Sequence, residues 1–187
     1  MKKALLLVSI LFVSVVSTAC INNFAVQELN TKARVYLDEG NYQEAIERLK
    51  SSLDLDNTIF ETHYNLAVAY TQAEDYANAI EEYKKAIKLD SSIPVVYYSL
   101  AVAQGNLAID LKNGNVRVDE DGQMYIPELD DLEEEKDYKP SEEILGKILE
   151  LNSSAVENYE LYLEKQPDAP DVEEVRAKIK ELSAVDD

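Results

Sequence analysis

Along the middle of this chain, apolar residues fall at steps of three and four, the spacing of one face of an α-helix. Tyr42, Ala45, Ile46, Leu49 and Leu53 form one such stripe, and Tyr76, Ala79, Ile80, Tyr83 and Ile87 form another. The two stripes share a phrase: Asn41-Tyr42-Gln43-Glu44-Ala45-Ile46-Glu47 returns as Asp75-Tyr76-Ala77-Asn78-Ala79-Ile80-Glu81, 34 residues later. Lys50/Lys84, Leu55/Leu89 and Asp56/Asp90 keep the register, and upstream Ala33, Ala67 and Ala101 share the interval. A shorter stripe of Leu66, Ala67 and Tyr70 precedes the second copy. Each unit therefore predicts helix, turn, helix. The alanines suit places where neighbouring helices approach closely, and Gly40-Asn41 and Glu74-Asp75 fall in the turns.

The third unit is interrupted. From the small alanine to the alanine of the second helix is 12 residues in the first two units (Ala33 to Ala45, Ala67 to Ala79). From Ala101 the phase resumes only at Ala155-Val156-Glu157-Asn158-Tyr159, running on to Pro167, so about 42 residues are inserted between the two helices. The first of these helices is expected to continue through Leu107 and Leu111. The second should begin near Pro140-Ser141-Glu142-Glu143, with Ser141 as N-cap and acids in the first turn. Its face reads Leu145, Ile148, Asn152, Ala155, Tyr159 and Tyr162. Between them, Val116-Arg117-Val118 and Gln123-Met124-Tyr125-Ile126 predict a β-hairpin turned at Asp121-Gly122, with Pro127 ending the second strand. The acidic run Glu128 to Asp137 predicts an irregular loop. Two over-long helices carrying this hairpin are expected to project, with 113–140 outside the core. A last stripe, Val172, Val175, Ile179 and Leu182, reads as a capping helix.

A 34-residue helix–turn–helix unit of this composition resembles the tetratricopeptide repeat. The family's pattern runs large residue, Leu, small residue, Tyr, Gly, Tyr, Ala, aromatic, Ala, Pro. The second unit supplies Leu66, Ala67, Tyr70, Tyr76, Ala79, Tyr83 and Ala86, but has Glu74 for the turn glycine and Ser91 for the closing proline. The first unit has Lys32, Leu49, Ser52 and Asn57 at four pattern positions, as a degenerate end unit would. The resemblance implies an all-α helical solenoid of about three helix pairs plus a capping helix, with a β-hairpin and acidic insertion in the third repeat. Its repeats would span about 26–59, 60–93 and 94–168, the insertion about 107–148 and the cap about 170–183, in one domain over 24–183.

The resemblance further implies a scaffold that binds rather than catalyses, with the first helix of each unit lining an inner groove. The groove set would be Asn30 and Arg34, then Tyr64, Val68 and Thr71, then Tyr98, Val102 and Gly105. Tyrosines and valines there suit a protein or peptide partner with an apolar or aromatic segment. The plainer alternative is that Tyr64 and Tyr98 pack against Tyr70 and Tyr97. Some relatives grip a C-terminal carboxylate with lysines and asparagines. Here only Asn65 matches and the basic residues are missing, so that role is not expected.

The N-terminus has its own pattern. Met1-Lys2-Lys3 is basic, Ala4 to Val16 is an apolar core too short to span a bilayer comfortably, and Ser17-Thr18-Ala19 supplies small residues before Cys20. This resembles a bacterial export signal over 1–19 ending in a lipobox, with Cys20 acylated and 20–23 as a short tether. Ser17 departs from the aliphatic residue usual three places before the cysteine. Ser17-x-Ala19 also satisfies an ordinary signal peptidase, so secretion with Cys20 free is the alternative. Cys20 is the only cysteine, and a lone exposed thiol in an oxidising compartment is a liability, which favours the lipoprotein. Ile21 in place of Asp implies an outer-membrane anchor facing the periplasm.

Charge narrows the partners. The chain carries 37 acidic and 18 basic residues, net −19, and only Lys2 and Lys3 precede Cys20 while every acid follows it. Such a field disfavours nucleic acid and anionic headgroups. Asp119, Asp121, Gly122 and Glu128 fit positions of a calcium loop, but Arg117 stands at its first ligand position, so no calcium site is expected. The only histidine, His63, takes a packing position with no nucleophile in prospect. Acid pairs such as Glu81-Glu82 are assigned to exposed faces, and the five glycines form no phosphate loop. No enzyme and no cofactor is expected. Two functions remain: an envelope scaffold for assembly, pilus biogenesis or secretion, or a ligand-binding periplasmic accessory of a solute transporter.

Overall fold

A computed structural model describes residues 23–119, 121–127 and 138–184. Cys20 and its leader, and the acidic run Glu128 to Asp137, lie outside the described residues. The elements are α1 (23–38), α2 (Tyr42–Leu55), α3 (Phe60–Gln72), α4 (Tyr76–Leu89), α5 (Pro94–Asn113), β1 (Arg117–Val118), β2 (Met124–Tyr125), α6 (Glu142–Lys165) and α7 (Val172–Ser183). The helices pair in sequence order, α3 with α4 and α5 with α6, with α2 packed on α3, α4 on α5 and α7 closing on α6; Asn30 of α1 bonds Ser52 of α2 and Thr62 of α3. Among the described residues no helix is long and apolar enough to cross a membrane.

The repeating alanines set the spacing. Ala33, Ala67 and Ala101 of the first helices, and Ala45, Ala79 and Ala155 of the second, are all 0% exposed. A methyl at these positions lets the helices approach until their ridges interlock, and a longer side chain would hold them apart.

The turns are closed by backbone bonds. In the first unit Gly40 sits at φ +77, with Gly40 N donating to Leu37 O and Asn41 N to Tyr36 O. The second unit builds the same turn around Glu74 at φ +60, with Glu74 N donating to Thr71 O and Asp75 N to Tyr70 O. The Asp75 carboxylate caps α4 by accepting from Asn78 N at 3.3 Å. A left-handed L-residue other than glycine is strained, so the departure from the repeat pattern at Glu74 leaves the turn's shape intact and carries a local energetic cost.

The hairpin does not project. Val116, Val118 and Met124 are half-buried against the stack, so the hairpin folds back onto it. The Arg117 guanidinium lies 5.4 Å from the centre of the Tyr138 ring, whose hydroxyl donates to Leu111 O at the end of α5. Gly114 ends α5 at φ +77, and a Cβ there would meet that ring at 2.7 Å. The projecting arrangement expected from the acidic composition overlooked these apolar residues, which need cover. The hairpin itself pairs Arg117 with Tyr125 and Val118 with Met124. Asp121 and Gly122 lie in its turn, as expected, inside the Asp119 N to Gln123 O bond. The Asp119 side chain accepts from the backbone N–H of Asp121 and Gln123, and Gly122 N donates to Asp119 O with Gly122 at φ +80.

Ser141 caps α6 by accepting from Ile144 N. Ile148, Asn152, Ala155, Tyr159 and Tyr162 are buried along α6, whereas Leu145, expected on the same face, is 45% exposed. Ile144 takes its place against the core. On α7 Val175 is buried and Val172, Ile179 and Leu182 are half-buried.

Candidate functional site

The first helices α3 and α5 adjoin each other and carry most of the residues expected to line the groove. Tyr64 is half-buried, its ring stacked on Phe60 at 5.9 Å and 8°, and tilted against Tyr83 of α4 at 5.9 Å. Tyr98 is also half-buried, edge-on to Tyr159 of α6 at 5.7 Å and tilted against Tyr162 at 5.3 Å. The relation repeats: a first-helix tyrosine leans on the aromatic of the second helix in its own unit. The alternative partners Tyr70 and Tyr97 face elsewhere. Tyr70 lies under the Lys50 ammonium, while Tyr97 donates to Ser91 O and sits under Lys165. Helix rotation within each pair decides this, and sequence spacing alone does not carry it.

Val68, one turn after Tyr64, and Val102 and Gly105, one and two turns after Tyr98, are half-buried. Thr71 donates its hydroxyl to Ala67 O at 2.9 Å and lies 3.3 Å from the Tyr83 hydroxyl, so it braces Tyr83. Asn30 is turned between helices: its amide donates to Val26 O, Ser52 Oγ and Thr62 Oγ1, tying α1 to α2 and α3. Arg34 is exposed on α1. The aromatic part of the face therefore belongs to the second and third units.

Its electrostatics are negative at the α7 end. The Tyr162 hydroxyl donates to Asp171 Oδ1 at 2.8 Å; burial and that bond push its pKa up to about 12. Burial, then Tyr98, Glu174 and Glu181, raise Tyr159 to about 12. Burial, then Glu174 and Asp171, raise Tyr98. Tyr83 is pushed up to about 12, chiefly by burial. These hydroxyls stay protonated at neutral pH; that of Tyr162 is spent on Asp171, while half-buried Tyr98 can donate to a carbonyl laid along the face.

Sequence reading missed one buried polar pair. Glu82, assigned to an exposed face, is buried, and its Oε2 lies 2.6 Å from Nδ1 of buried His63. His63 Nε2 lies 3.0 Å from Asn57 O, and Lys85 donates to Glu82 Oε1. Every polar end is satisfied, which is what allows an acid to be buried there. The Asp119 carboxylate of the calcium-like motif is engaged with backbone N–H groups, Asp121 is exposed, and Glu128 lies outside the described residues.

A family model for the tetratricopeptide repeat matches residues 30–93. Over those residues the chain matches that repeat. Solved structures extend the likeness over the whole stack. The second tetratricopeptide domain of human RPAP3, in complex with the HSP70 peptide SGPTIEEVD, is 18% identical, with a TM-score of 0.58 over 85% of this chain and 98% of that one. The Arabidopsis OM64 tetratricopeptide domain is 11% identical, with a TM-score of 0.60 over 86% and 98%. The Yersinia enterocolitica type III secretion chaperone SycD, in complex with a peptide of the translocator YopD, is 14% identical, with a TM-score of 0.52 over 86% and 91%. No curated protein matches the chain. At these identities the likeness is one of fold: a tetratricopeptide solenoid with an added hairpin in its third unit.

Proposed function

We propose that this protein is a membrane-anchored, non-catalytic scaffold of the bacterial cell envelope that holds an apolar or aromatic segment of a partner protein along its inner face. The observation that carries the reading is the pair of half-buried tyrosines, Tyr64 and Tyr98, set beside Val68 and Val102. Each ring rests against neighbouring aromatics and is only half-buried, the arrangement that suits an aromatic anchor at low entropic cost. The second tetratricopeptide domain of RPAP3 and the chaperone SycD, similar to this chain in fold, were solved with an HSP70 peptide and a YopD peptide.

Anchoring rests on Cys20. Only Ile21 and Asn22 separate it from the first described residue of α1, and Phe24 is 70% exposed in the first turn. Such a short tether would hold the stack at the membrane surface, with an aromatic available to the headgroup region. The role is that of an assembly, pilus or secretion component. Two measurements test it. Labelled palmitate should enter the wild type and not Cys20→Ser; equal labelling removes the anchor. Chemical crosslinking of the membrane-bound protein should yield a partner adduct that disappears in Tyr64→Ala/Tyr98→Ala, and an undiminished adduct would remove the inner face from the reading.

A further inference from the structure

The insertion builds a second concavity. The hairpin leans toward the first turns of α4 and the early part of α6, and between them lies a cleft of about 630 Å³. Its floor is apolar, formed by Tyr76, Leu107, Val116, Met124 and Leu151. One wall is β2, which pairs with β1 on one side and, among the described residues, has no strand on the other. Ile126, just past β2, stands at the rim 71% exposed. Only Gln104 and Leu107 of the lining come from a first helix, so the cleft is separate from the tyrosine face.

The rim has a sign. It carries Glu74, Asp75, Glu81 and Glu150 against Lys84 and Lys147. Glu81 is matched by Lys84 at 3.1 Å, which leaves three carboxylates facing one ammonium. Burial raises the pKa of the Tyr76 hydroxyl, and the charges of Glu74 and Asp110 add to the effect, consistent with a negative field at that end of the floor.

We propose that this cleft receives an extended peptide segment of a partner protein in which apolar side chains alternate with lysine or arginine. The volume is that of a ligand-sized pocket. A strand edge without a described neighbour, as on β2, can accept an extended main chain through its backbone groups. Alternate residues of that strand point to opposite faces, so one set reaches the apolar floor while the other meets the acidic rim. The carboxylates favour the cationic partner and repel an acidic one.

The test uses the full chain and two short fluorescent peptides, one alternating valine with lysine and one alternating valine with glutamate, read by anisotropy. The lysine peptide should bind saturably, and the glutamate peptide at least about tenfold more weakly. Ile126→Asp and Glu150→Lys change exposed residues and should each weaken the lysine peptide by about tenfold or more. Tyr98→Ala, on the other face, should leave it unchanged, and circular dichroism should show all three variants folded. Three results overturn the proposal: equal binding of both peptides, no saturable binding of the lysine peptide, or loss in Tyr98→Ala with the rim variants unaffected.

Discussion

His63 of α3 and Glu82 of α4 meet at 2.6 Å between imidazole and carboxylate, both buried, with the other ring nitrogen 3.0 Å from the Asn57 carbonyl. Both ring nitrogens are engaged, so the histidine clamps the loop before α3, α3 itself and α4 together. Removing one member leaves the facing polar atom of the other buried without its partner. Glu82→Leu should cost about 3 kcal/mol, whereas His63→Leu/Glu82→Leu should recover much of that loss, because a packed apolar pair can replace a buried polar one. Urea unfolding of the two single variants and the double variant checks this; strictly additive losses would show that the contact is not a coupled unit.

Gly114 and the Tyr138 ring leave no room for a side chain between them. Gly114→Ala should lose about 1–2 kcal/mol from the left-handed backbone alone, plus a steric part. In a Tyr138→Ala background the steric part should vanish and the backbone part remain. Thermal melts of the four proteins separate the two, and an equal penalty in both backgrounds would mean the ring is not the obstacle.

Glu74 holds a turn that Gly40 holds in the preceding unit, at φ +60 against +77. Glu74→Gly should relieve the left-handed strain while loosening the unfolded chain, for a net gain of up to about 1 kcal/mol. A loss of stability on chemical denaturation would place a compensating role in the carboxylate.

Alkaline pH should unfold the stack. Tyr83 titrates at about 12 in the fold against about 10 when exposed. The neutral form is therefore favoured by folding: its contribution is complete below about pH 10 and lost as pH rises towards 12. For Tyr83 this amounts to on the order of 2 kcal/mol, and Tyr159 shifts the same way. Tyrosinate absorbance should rise together with loss of helical signal. Full ionisation of every tyrosine with helicity intact would contradict the burial assignment.

The repeat was legible because its cause is local and periodic. Ala33, Ala67 and Ala101 recur because each meets the same neighbour, and all three prove fully buried. The long third pair was legible from the N-cap at Ser141 and the apolar stripes on either side of the insertion. The His63–Glu82 contact was not, since it joins two helices whose relative rotation no spacing records. The partners of Tyr64 and Tyr98 were lost for the same reason. The docking of the hairpin was hidden by composition: the acids around it read as solvated, while the apolar contacts of Val116, Val118 and Met124 depend on α6 coming back beside α5.

Where the partner lies is the question on which the scaffold reading depends. A photoreactive phenylalanine analogue placed singly at Val68, at Val102 and at exposed Lys88 of α4, in living cells, measures it directly. Adducts to one partner protein from Val68 and Val102, absent from Lys88 and abolished by Tyr64→Ala/Tyr98→Ala, are the predicted result. Adducts from Lys88 alone, with both inner-face positions silent, would contradict it.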